Sequence, residues 1–283
     1  MILLADGGST KVDWCLVDQG TLVKRVFSKG ANPFFRTRED ISGEIKNVVM
    51  PEIAGYEIDS VHFYGAGCAF PEKNEIIRAA IADNIPISEI EVGSDLLGAA
   101  KGLCGKRAGI ACIIGTGSNS CYYDGKEIKE NVSPLGYVLG DEGSGAVLGR
   151  LFVGACLKNQ LTKGIKEDFL KYMNITIPEI LDRVYKQPLA NKFLATISPF
   201  IKNNLEDETV YNLVYNAFQD FFKKNVMQYD YKNNKVHLTG SVAFHYQDVI
   251  RKVASDLNIE IGEIIQSPMD GLVKYFALTE KTV

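Results

Sequence analysis

The sequence lacks the long apolar runs of a membrane protein. No stretch approaches the ~20 residues that cross a bilayer, and Met1 to Ala5 lead into Asp6 without a basic segment or a cleavage site. It also lacks a surplus of basic charge, because 31 basic residues face 35 acidic ones and the formal net charge is -4. Such a chain offers no polybasic surface to the phosphates of DNA or RNA. We therefore expect neither a membrane nor a nucleic acid as a partner.

Clustered metal ligands are missing as well. The six cysteines include no C-x-x-C pair, and the three histidines are far apart in the chain. Zinc and redox sites typically need such ligands at short, regular spacings. Scattered cysteines of this kind are typical of buried thiols in a reducing compartment, which predicts a cytoplasmic location.

The composition that remains is ordinary for a globular protein, with 46% hydrophobic and 23% charged residues. At roughly 150 residues per domain, a chain of 283 residues has room for two domains. Glycines and basic residues interrupt the hydrophobic pattern at 102–108, so we predict domains at 1–104 and 105–283. An arrangement in which the last helix packs back on the first domain is left open.

One pattern of short strands and turns occurs twice. Ile2 to Ala5 is a predicted buried strand that reaches a glycine-rich turn and then a second strand, and Ile110 to Ile114 begins the same order again. Between these segments, predicted strands alternate with amphipathic helices. The alternation indicates an α/β layered fold, and the repeat indicates an internal duplication.

The first glycine-rich turn combines a carboxylate with small and hydroxyl side chains. Asp6 ends the buried strand, and the residues that follow are Gly7, Gly8, Ser9, Thr10 and Lys11. Backbone N–H groups in such a turn can face phosphate oxygens while the carboxylate holds a hydrated Mg²⁺. An ordinary hairpin turn explains the same residues, so both interpretations stay open.

The second glycine-rich turn is another candidate for holding phosphates. Its residues are Gly115, Thr116, Gly117, Ser118 and Asn119. Ser120 replaces the third glycine of a dinucleotide fingerprint, and a strand rather than a helix is predicted to follow, which excludes a Rossmann site. The segment 102–107 has the wrong spacing for a P-loop.

Three strand-to-helix junctions carry further candidate residues. Asp95 either caps a helix, a role that Ser94 could also fill, or acts as a general base at the carboxyl edge of a sheet. Four glycines surround Asp141 and Glu142 before a long helix, where the carboxylates are either caps or ligand contacts. The junction 239–241 contains Gly240 and Ser241 and lets the backbone approach a flat ring closely.

The four segments DGGST at 6–10, GTGSN at 115–119, GDEGS at 140–144 and TGS at 239–241 occur in the order used by the superfamily of acetate and sugar kinases, actin and heat-shock chaperones. The chain resembles the N-acetylglucosamine kinase branch, which is grouped with the benzoyl-CoA reductase activator-type ATPases. The resemblance covers nearly the whole chain, and GTGSN together with GDEGS is typical of that branch. It implies an α/β fold of two ribonuclease H-like, actin-like ATPase domains that flank a cleft for nucleotide and substrate.

The resemblance also implies roles for individual residues. Asp6 corresponds to the metal-binding residue and Asp95 to the catalytic aspartate. The nucleotide-binding positions are Gly7, Gly8, Ser9, Thr10, Lys11, Gly115, Thr116, Gly117 and Ser118, with Gly240 and Ser241 behind the adenosine. The positions that bind the hydroxyls of the sugar are Asn32, Asn119 and Asp141.

The implied reaction is transfer of the γ-phosphoryl group of ATP, with Mg²⁺, to a hydroxyl of a sugar. The expected acceptor is an amino sugar such as N-acetylglucosamine, and a homodimer is left open. The kinases tend to have Ser-Gly-Gly where this chain has Gly65-Ala66-Gly67, which removes a hydroxyl near the sugar. Two alternatives stay open: an ATPase that activates a partner protein, as the reductase activators do with paired cysteines, and a nucleotide-dependent binding module.

Overall fold

The structure is a computed structural model that describes residues 1–8 and 10–280. Its strands are β1 Ile2–Gly7, β2 Lys11–Asp18, β3 Thr21–Lys29, β4 Ser60–Gly65, β5 Ile90–Ser94, β6 Gly109–Ile114, β7 Ser118–Tyr123, β8 Ile128–Val132, β9 Val236–Thr239 and β10 Ile261–Ile265. Its α-helices are α1 Arg38–Glu44, α2 Pro71–Ala82, α3 Asp95–Cys104, α4 Gly136–Leu139, α5 Gly145–Leu157, α6 Ile165–Met173, α7 Ile177–Tyr185, α8 Ala190–Ala195, α9 Ser198–Asn203, α10 Glu208–Lys224, α11 Ser241–His245, α12 Gln247–Asp256 and α13 Met269–Glu280. A π-helical turn, Ile45–Val49, extends α1, and a 3-10 turn, Val226–Gln228, follows α10.

The chain forms two compact units that interleave in sequence. Unit 1 holds Met1–Ala108, Tyr123–Ile128 and the described residues from Ser267 onward, and unit 2 holds Gly109–Tyr122 and Lys129–Gln266. Helix α13 therefore belongs to the first unit, although it comes from the far end of the sequence. The domain limits 1–104 and 105–283 stay a prediction.

Each unit contains a five-stranded sheet with the same strand order. The order is β3-β2-β1-β4-β5 in unit 1 and, read from the corresponding edge, β8-β7-β6-β9-β10 in unit 2. In unit 1, β1 pairs antiparallel with β2 and parallel with β4. In unit 2, β6 pairs parallel with β9, which pairs parallel with β10. The internal duplication predicted from the two strand-turn-strand segments is confirmed by this order.

Both faces of the sheet in unit 1 are covered, which explains why β1 is apolar along nearly its whole length. Leu3 and Ala5 lie in a core cluster with residues of α1 and α2. On the opposite face, Leu4 lies in a second cluster with Leu272 and Phe276 of α13. The last helix thus supplies the second cover of the sheet.

A buried polar network joins β4, β5 and α3 in unit 1. Lys101 is 8% exposed, and its ammonium group donates to Glu91 at 2.9 Å and to the Tyr64 hydroxyl at 2.8 Å. A nitrogen of His62 lies 2.8 Å from the other carboxylate oxygen of Glu91. The His62 ring also contacts the Phe276 ring of α13, with centroids 4.2 Å apart. The network satisfies a lysine that burial would otherwise disfavour.

The core of unit 2 packs helices against β6 and β9. Helix α10 is amphipathic, with a buried stripe that includes Val210, Val214, Phe218 and Phe221 at helical spacing. Asp207 caps this helix by accepting hydrogen bonds from two N–H groups of its first turn. The predicted apolar stripe is therefore a core face of unit 2.

Among the described residues, none of the helices has the combination of length and apolar character that a bilayer crossing requires.

Candidate active site

Three parallel strands of unit 1 end side by side. Gly7 of β1 is in register with Gly65 of β4, and Gly65 is in register with Ser94 of β5. Ligands of open α/β sheets collect at the carboxyl ends of parallel strands. The register brings the metal and base candidates, Asp6 and Asp95, to this edge of unit 1.

The first glycine-rich turn closes a hairpin between β1 and β2. The N–H of Gly8 donates to the carbonyl of Lys11 at 2.9 Å. A Cβ at Gly7 would stand 2.5 Å from the Phe63 ring, so a larger residue cannot follow Asp6 without displacing that ring, which belongs to β4. The turn is therefore a hairpin with a glycine required at position 7, and Thr10 and Lys11 are exposed on it. Ser9, another predicted nucleotide contact, lies outside the described residues.

Asp6 has a strongly perturbed carboxyl group. Burial, followed by the negative charges of Asp95 and Asp13, raises its pKa to about 7, although a hydrogen bond from the Ser267 hydroxyl and the charge of Lys11 act in the opposite direction. Ser267 lies two residues before α13 and was not among the predicted site residues. No local pattern in the sequence relates it to Asp6, which is why it was missed.

Asp95 is the first residue of α3 and does not cap that helix. Ser94 is the cap, because its hydroxyl accepts a hydrogen bond from the N–H of Leu97 at 3.2 Å. One carboxylate oxygen of Asp95 accepts from the N–H of Leu96 at 2.9 Å. Burial raises the pKa of Asp95, and the hydrogen bond from Leu96 only partly offsets this effect. Since the cap is provided by its neighbour, Asp95 retains a carboxylate oxygen for other chemistry.

A third carboxylate of unit 1, Asp13, is occupied by an arginine. Asp13 is opposite Asp6 in the β1–β2 pairing. Its two oxygens accept hydrogen bonds from Arg25, at 2.9 and 2.6 Å. This bidentate pair leaves Asp13 unsuited to ligate a metal, because its oxygens are already engaged.

The carboxylates of unit 1 fit a hydrated magnesium ion but not a closed metal cage. In the part of the chain that the structure describes, no three His, Cys, Asp or Glu side chains form a metal-binding group. Mg²⁺ keeps most of its water and is usually held by one or two carboxylates together with substrate phosphates. Asp6, with the negative field of Asp95 beside it, meets that requirement.

Asn32 is a buried polar residue at a turn of unit 1. It is 9% exposed, and its side-chain oxygen accepts from the N–H of Phe34 at 2.9 Å. A Cβ at Gly67 would lie 2.6 Å from that oxygen, and Gly67 has a φ of +86°. The turn that carries Asn32 thus packs directly on the loop after β4. In the same loop, the N–H of Ala66 donates to the carbonyl of Gly7 at 2.7 Å, which ties it to the first glycine-rich turn.

The second glycine-rich turn sits on the N-terminus of α5. The carbonyls of Gly115 and Thr116 accept hydrogen bonds from the N–H groups of Gly145 at 2.8 Å and Ala146 at 3.1 Å. Ser144 caps the helix by accepting from the N–H of Val147 at 3.2 Å. The interpretation of Asp141 or Glu142 as caps is therefore wrong, because the serine that follows them takes this role.

Asp141 is held by the same turn. One of its oxygens accepts from the N–H of Ser118 at 3.3 Å, while the Ser118 hydroxyl donates to the carbonyl of Glu142 at 2.8 Å. A Cβ at Gly117 would approach an Asp141 oxygen to 3.1 Å. Burial raises the pKa of Asp141, against the hydrogen bond from Ser118. Asn119 lies in β7, and its side-chain oxygen accepts from Asn131 at 2.9 Å.

A pocket of about 400 Å³ in unit 2 joins the second turn to the TGS junction. Gly115, Thr116 and Ser241 all line it, so the structure brings these predicted nucleotide contacts together. Gly240 stands at the junction itself with a φ of +113°, and a Cβ there would lie 2.4 Å from the carbonyl of Ile114. Only glycine allows β6 and β9 to end so close to one another.

The same pocket contains residues that sequence reasoning missed. Its remaining lining comes from the α8–α9 region and from α11 to α12: Ala195, Ser198, Pro199, Lys202, Asn203, Val242, His245 and Tyr246. The hydroxyl of Tyr246 donates to the carbonyl of Ser198 at 2.7 Å, which fastens the two sides. The only available signal was the strand-Gly-Ser-helix pattern at 239–241, which indicates a junction but not the helix that faces it.

These features define the class of protein. Two α/β units with equivalent five-stranded sheets, each with a glycine-rich turn between its first two strands, characterise the actin-like ATPase and sugar kinase superfamily. A solved structure of a candidate N-acetylglucosamine kinase from Porphyromonas gingivalis is 47% identical to the chain, covers 99% of it and 100% of its own length, and has a TM-score of 0.96. The chain belongs to the N-acetylglucosamine kinase family.

More distant proteins share sequence or fold with the chain. An N-acetylmuramic acid/N-acetylglucosamine kinase from Clostridium acetobutylicum is 27% identical over 223 residues, 72% of each chain. The fold is shared by a candidate N-acetylglucosamine kinase from Chromobacterium violaceum, at 15% identity and a TM-score of 0.72 over 97% of this chain and 98% of that one. It is also shared by a ROK-family glucokinase from Streptomyces griseus, at 16% identity and a TM-score of 0.59 over 99% of each chain. No protein-family model matches the chain.

The predictions of fold class and of the N-acetylglucosamine kinase branch are confirmed, and with them the expectation of a sugar kinase. The roles of individual site residues remain predictions.

Proposed function

We propose that the protein transfers the γ-phosphoryl group of ATP to a hydroxyl of an amino sugar, with N-acetylglucosamine as the first acceptor to test. Two relatives support the amino sugar. The Porphyromonas protein is named for N-acetylglucosamine, and the Clostridium protein is named for both N-acetylmuramic acid and N-acetylglucosamine.

One observation carries the proposal. Ser94 caps α3, so the adjacent Asp95 stands at the carboxyl edge of the unit 1 sheet with a carboxylate oxygen that the helix does not use. Burial raises the pKa of this carboxyl group, which makes it a stronger proton acceptor than an exposed aspartate. Asp95 takes the proton of the sugar hydroxyl while the oxygen of that hydroxyl bonds to the γ-phosphorus. The bond between the γ-phosphorus and the oxygen that bridges it to the β-phosphate breaks, which leaves ADP and a sugar phosphate.

Asp6 is the residue that would hold Mg²⁺ in unit 1. Bound there, the ion would offset negative charge on the phosphates during transfer. Asp6 is suited to this role because its raised pKa reflects unfavourable burial and repulsion of a negative charge, which a cation relieves. Asp13, which lies opposite Asp6, is not available as a second ligand because its carboxylate is paired with Arg25.

The pocket of unit 2 is the proposed place for the adenosine. Its size of about 400 Å³ suits a small organic ligand, and it combines apolar side chains with polar groups such as Ser198 and Lys202. Gly240 and Ser241 would lie behind the adenosine. The phosphates would be held by N–H groups of the glycine-rich turns, Gly7 to Lys11 and Gly115 to Ser118.

The sugar contacts we propose are Asn32 in unit 1 and Asn119 and Asp141 in unit 2. Asn32 and Asp141 are each oriented by a backbone N–H that donates to their side-chain oxygens. Such prior orientation lowers the entropy cost of ordering these side chains when the hydroxyls of a sugar bind. A cytoplasmic location and a homodimer remain compatible with this function and are not needed for it.

The alternative of a reductase activator is less well supported. An iron–sulfur cluster between subunits needs cysteine thiolates at the surface. All six cysteines of this chain are buried.

The experiment is ADP release from ATP and Mg²⁺ over a panel of amino sugars and hexoses, with mass spectrometry of the products. We expect a phosphorylated amino sugar and a loss of the reaction in Asp95→Asn. Asp18→Asn, which changes an exposed aspartate of the same unit, is the matched control and should keep full activity. ADP release that is equal with and without sugar would contradict the proposal and favour an ATPase or a binding module.

A further inference from the structure

Ser267 joins the last part of the sequence to the carboxylate that we propose for the metal ion. It follows β10 by two residues and belongs to unit 1, the unit that contains Asp6. Its hydroxyl donates a hydrogen bond to the Asp6 carboxylate. The oxygen of the same hydroxyl accepts a hydrogen bond from the N–H of Met269 at 3.3 Å. A serine hydroxyl has one proton to donate, and in this arrangement Asp6 receives it.

The backbone of Asp6 is fixed on both sides, so its side-chain torsions are the freedom that remains. In β1, Asp6 is in register with Asp13 of β2 and with Tyr64 of β4. The two strand pairs hold its Cα and Cβ in place. Asp13 does not orient the carboxylate, because it has a charge of the same sign and is paired with Arg25. Ser267 supplies a hydrogen-bond donor to this side chain from outside the strand pairs.

The residues that follow Ser267 are held against two elements of unit 1. Pro268 packs on α3, where a Cβ at Gly102 would lie 2.7 Å from the Pro268 carbonyl. Met269 is 1% exposed and lies in the core cluster that includes Leu4 of β1. Because both neighbours are buried in this way, the position of the Ser267 hydroxyl is set by the packing of α13 on the sheet and on α3.

A hydrogen bond to a metal-binding carboxylate fixes the direction in which its remaining lone pairs point. Metal ligands are usually oriented by such a partner, and its removal weakens metal binding or activity by about 10- to 100-fold. Mg²⁺ requires near-ideal octahedral geometry, so a rotated carboxylate is a poor ligand for it. A side chain that is ordered in advance also loses less conformational entropy when the ion binds.

We propose that Ser267 is a positioning residue, which orients the Asp6 carboxylate for the hydrated Mg²⁺ and acts on the ion through Asp6. This inference rests on the proposed function, in which Asp6 holds the ion, and it extends the metal site to the segment that precedes α13. Ser267 touches neither the sugar nor the transferred phosphoryl group in this account. Its removal therefore weakens metal binding and leaves sugar binding unchanged.

The test measures metal binding without turnover. Mn²⁺ prefers the same oxygen ligands as Mg²⁺, and its binding to nucleotide-free protein at pH 8 is followed by the electron paramagnetic resonance signal of the free ion. The variants are Ser267→Ala, which removes the hydroxyl, Ser267→Thr, which keeps it, and Asp6→Asn, which removes the charge of the ligand. Of the two controls, Ser88→Ala changes an exposed serine of unit 1, and Phe276→Leu loosens α13 further along the helix.

We expect Ser267→Ala to raise the Kd for Mn²⁺ by about 10- to 100-fold, the usual effect of removing a hydrogen-bond partner of a metal ligand. Asp6→Asn should abolish binding at this site, and Ser267→Thr should bind nearly as tightly as the wild type. Ser88→Ala and Phe276→Leu should change Kd by less than about twofold, although Phe276→Leu lowers the melting temperature. In steady-state assays, Ser267→Ala should raise the apparent KM for Mg²⁺ and leave the KM for the sugar unchanged.

An unchanged Kd for Mn²⁺ in Ser267→Ala, together with a loss of binding in Asp6→Asn, would overturn the inference and leave the metal role of Asp6 intact. Equal increases of Kd in Ser267→Ala and Phe276→Leu would overturn it as well, because they would assign the effect to a loosened α13. The same loss in Ser267→Thr as in Ser267→Ala would show that the hydroxyl is not the cause. Tight binding of Mn²⁺ to Asp6→Asn would contradict the metal site of the proposed function itself, and the positioning role with it.

Discussion

The negative charge of Asp95 raises the pKa of Asp6, although the two residues belong to strands that are separated by β4. Strand β1 ends one residue after Asp6, and α3 begins at Asp95 directly after β5. Two carboxylates that disfavour each other's ionisation impose an electrostatic penalty on the folded protein. A cation at Asp6 relieves this penalty, so the repulsion favours metal binding.

The first prediction concerns the pH dependence of stability. The pKa of Asp6 is about 7 in the folded protein and 3.8 as a reference value, so the folded state binds the proton more tightly. The resulting stabilisation is complete below pH 3.8 and is lost as the pH rises through about 7. Asp6→Asn does not ionise and should therefore melt at a higher temperature than the wild type at pH 8, with a smaller advantage at pH 5.

Thermal melting in magnesium-free buffer from pH 5 to pH 8 measures this difference. The control Asp18→Asn should follow the wild type throughout. Added Mg²⁺ should narrow the gap at pH 8 because it stabilises ionised Asp6. A gap that does not depend on pH would show that Asp6 titrates normally.

The second prediction separates catalysis from helix capping at two adjacent residues. Asp95→Asn should lower kcat by roughly 10²–10⁴-fold, the usual contribution of a general base, while the Kd for ATP changes little. Ser94→Ala removes the cap and should lower the free energy of unfolding by about 0.5–2 kcal/mol, with kcat largely retained. Stopped assays and urea unfolding of both variants check this. If both variants lose stability and neither loses kcat, Asp95 is a structural residue.

The third prediction concerns the close approach of β6 and β9 at Gly240. A Cβ at this position would lie 2.4 Å from the carbonyl of Ile114, and the φ of +113° is unfavourable for alanine. Gly240→Ala should therefore destabilise the protein and raise the KM for ATP, because the junction adjoins Ser241, which lines the proposed nucleotide pocket.

Gly154→Ala is the matched control for Gly240→Ala. Gly154 lies within α5, and a Cβ added there would meet open space, with no neighbouring element of the described chain inside 4 Å. Alanine at this position should stabilise the helix by roughly 0.5–1 kcal/mol and leave the KM for ATP unchanged. Calorimetry and ATP titrations of both variants distinguish strain at the junction from a general effect of adding a methyl group.

The fourth prediction concerns Glu91 in the buried network. Burial alone would raise its pKa, but the hydrogen bonds from His62 and Lys101 lower it to about 2. The stabilisation from this group is present above its reference pKa of 4.5 and is lost as the pH falls towards 2. Glu91→Gln should be less stable than the wild type at pH 7, and the difference should shrink as the pH falls below 4.5.

Urea unfolding of Glu91→Gln and the wild type between pH 7 and pH 3 tests this sign. Glu89→Gln changes an exposed carboxylate on the same segment and serves as the reference. A difference that grows as the pH falls would contradict the assignment.

Local patterns were sufficient for the elements that carry the candidate site. Apolar runs that end in glycine predict β1, β6 and the strand-to-helix junctions, because a buried strand and a tight turn each depend on neighbouring residues. The position of Asp95 between a strand and a helix follows from the same reasoning. The sequence does not predict that Ser94, rather than Asp95, caps α3, because both residue types are good caps and only the geometry decides between them.

The missing parts of the site depend on contacts between distant segments. Ser267 reaches Asp6 because α13 packs on the β1 sheet, and Arg25 engages Asp13 because of the β2–β3 pairing. Neither relationship has a local sequence signal. The side of the unit 2 pocket that contains Lys202, the proposed place for the adenosine, belongs to the short helix α9, and the position of α9 is set by the core of unit 2.

The placement of α13 also affects how the protein is made. Leu272 and Phe276 cover the face of the β1 sheet that contains Leu4, and they are synthesised after every residue of unit 2. During synthesis, this apolar face of the unit 1 sheet therefore stays uncovered until unit 2 has been made. Unit 2 is the part of the nascent chain that can finish folding first. A product that ends before residue 267 would expose the apolar face that α13 covers, which favours aggregation, and it would lack the Ser267 hydroxyl that donates a hydrogen bond to Asp6.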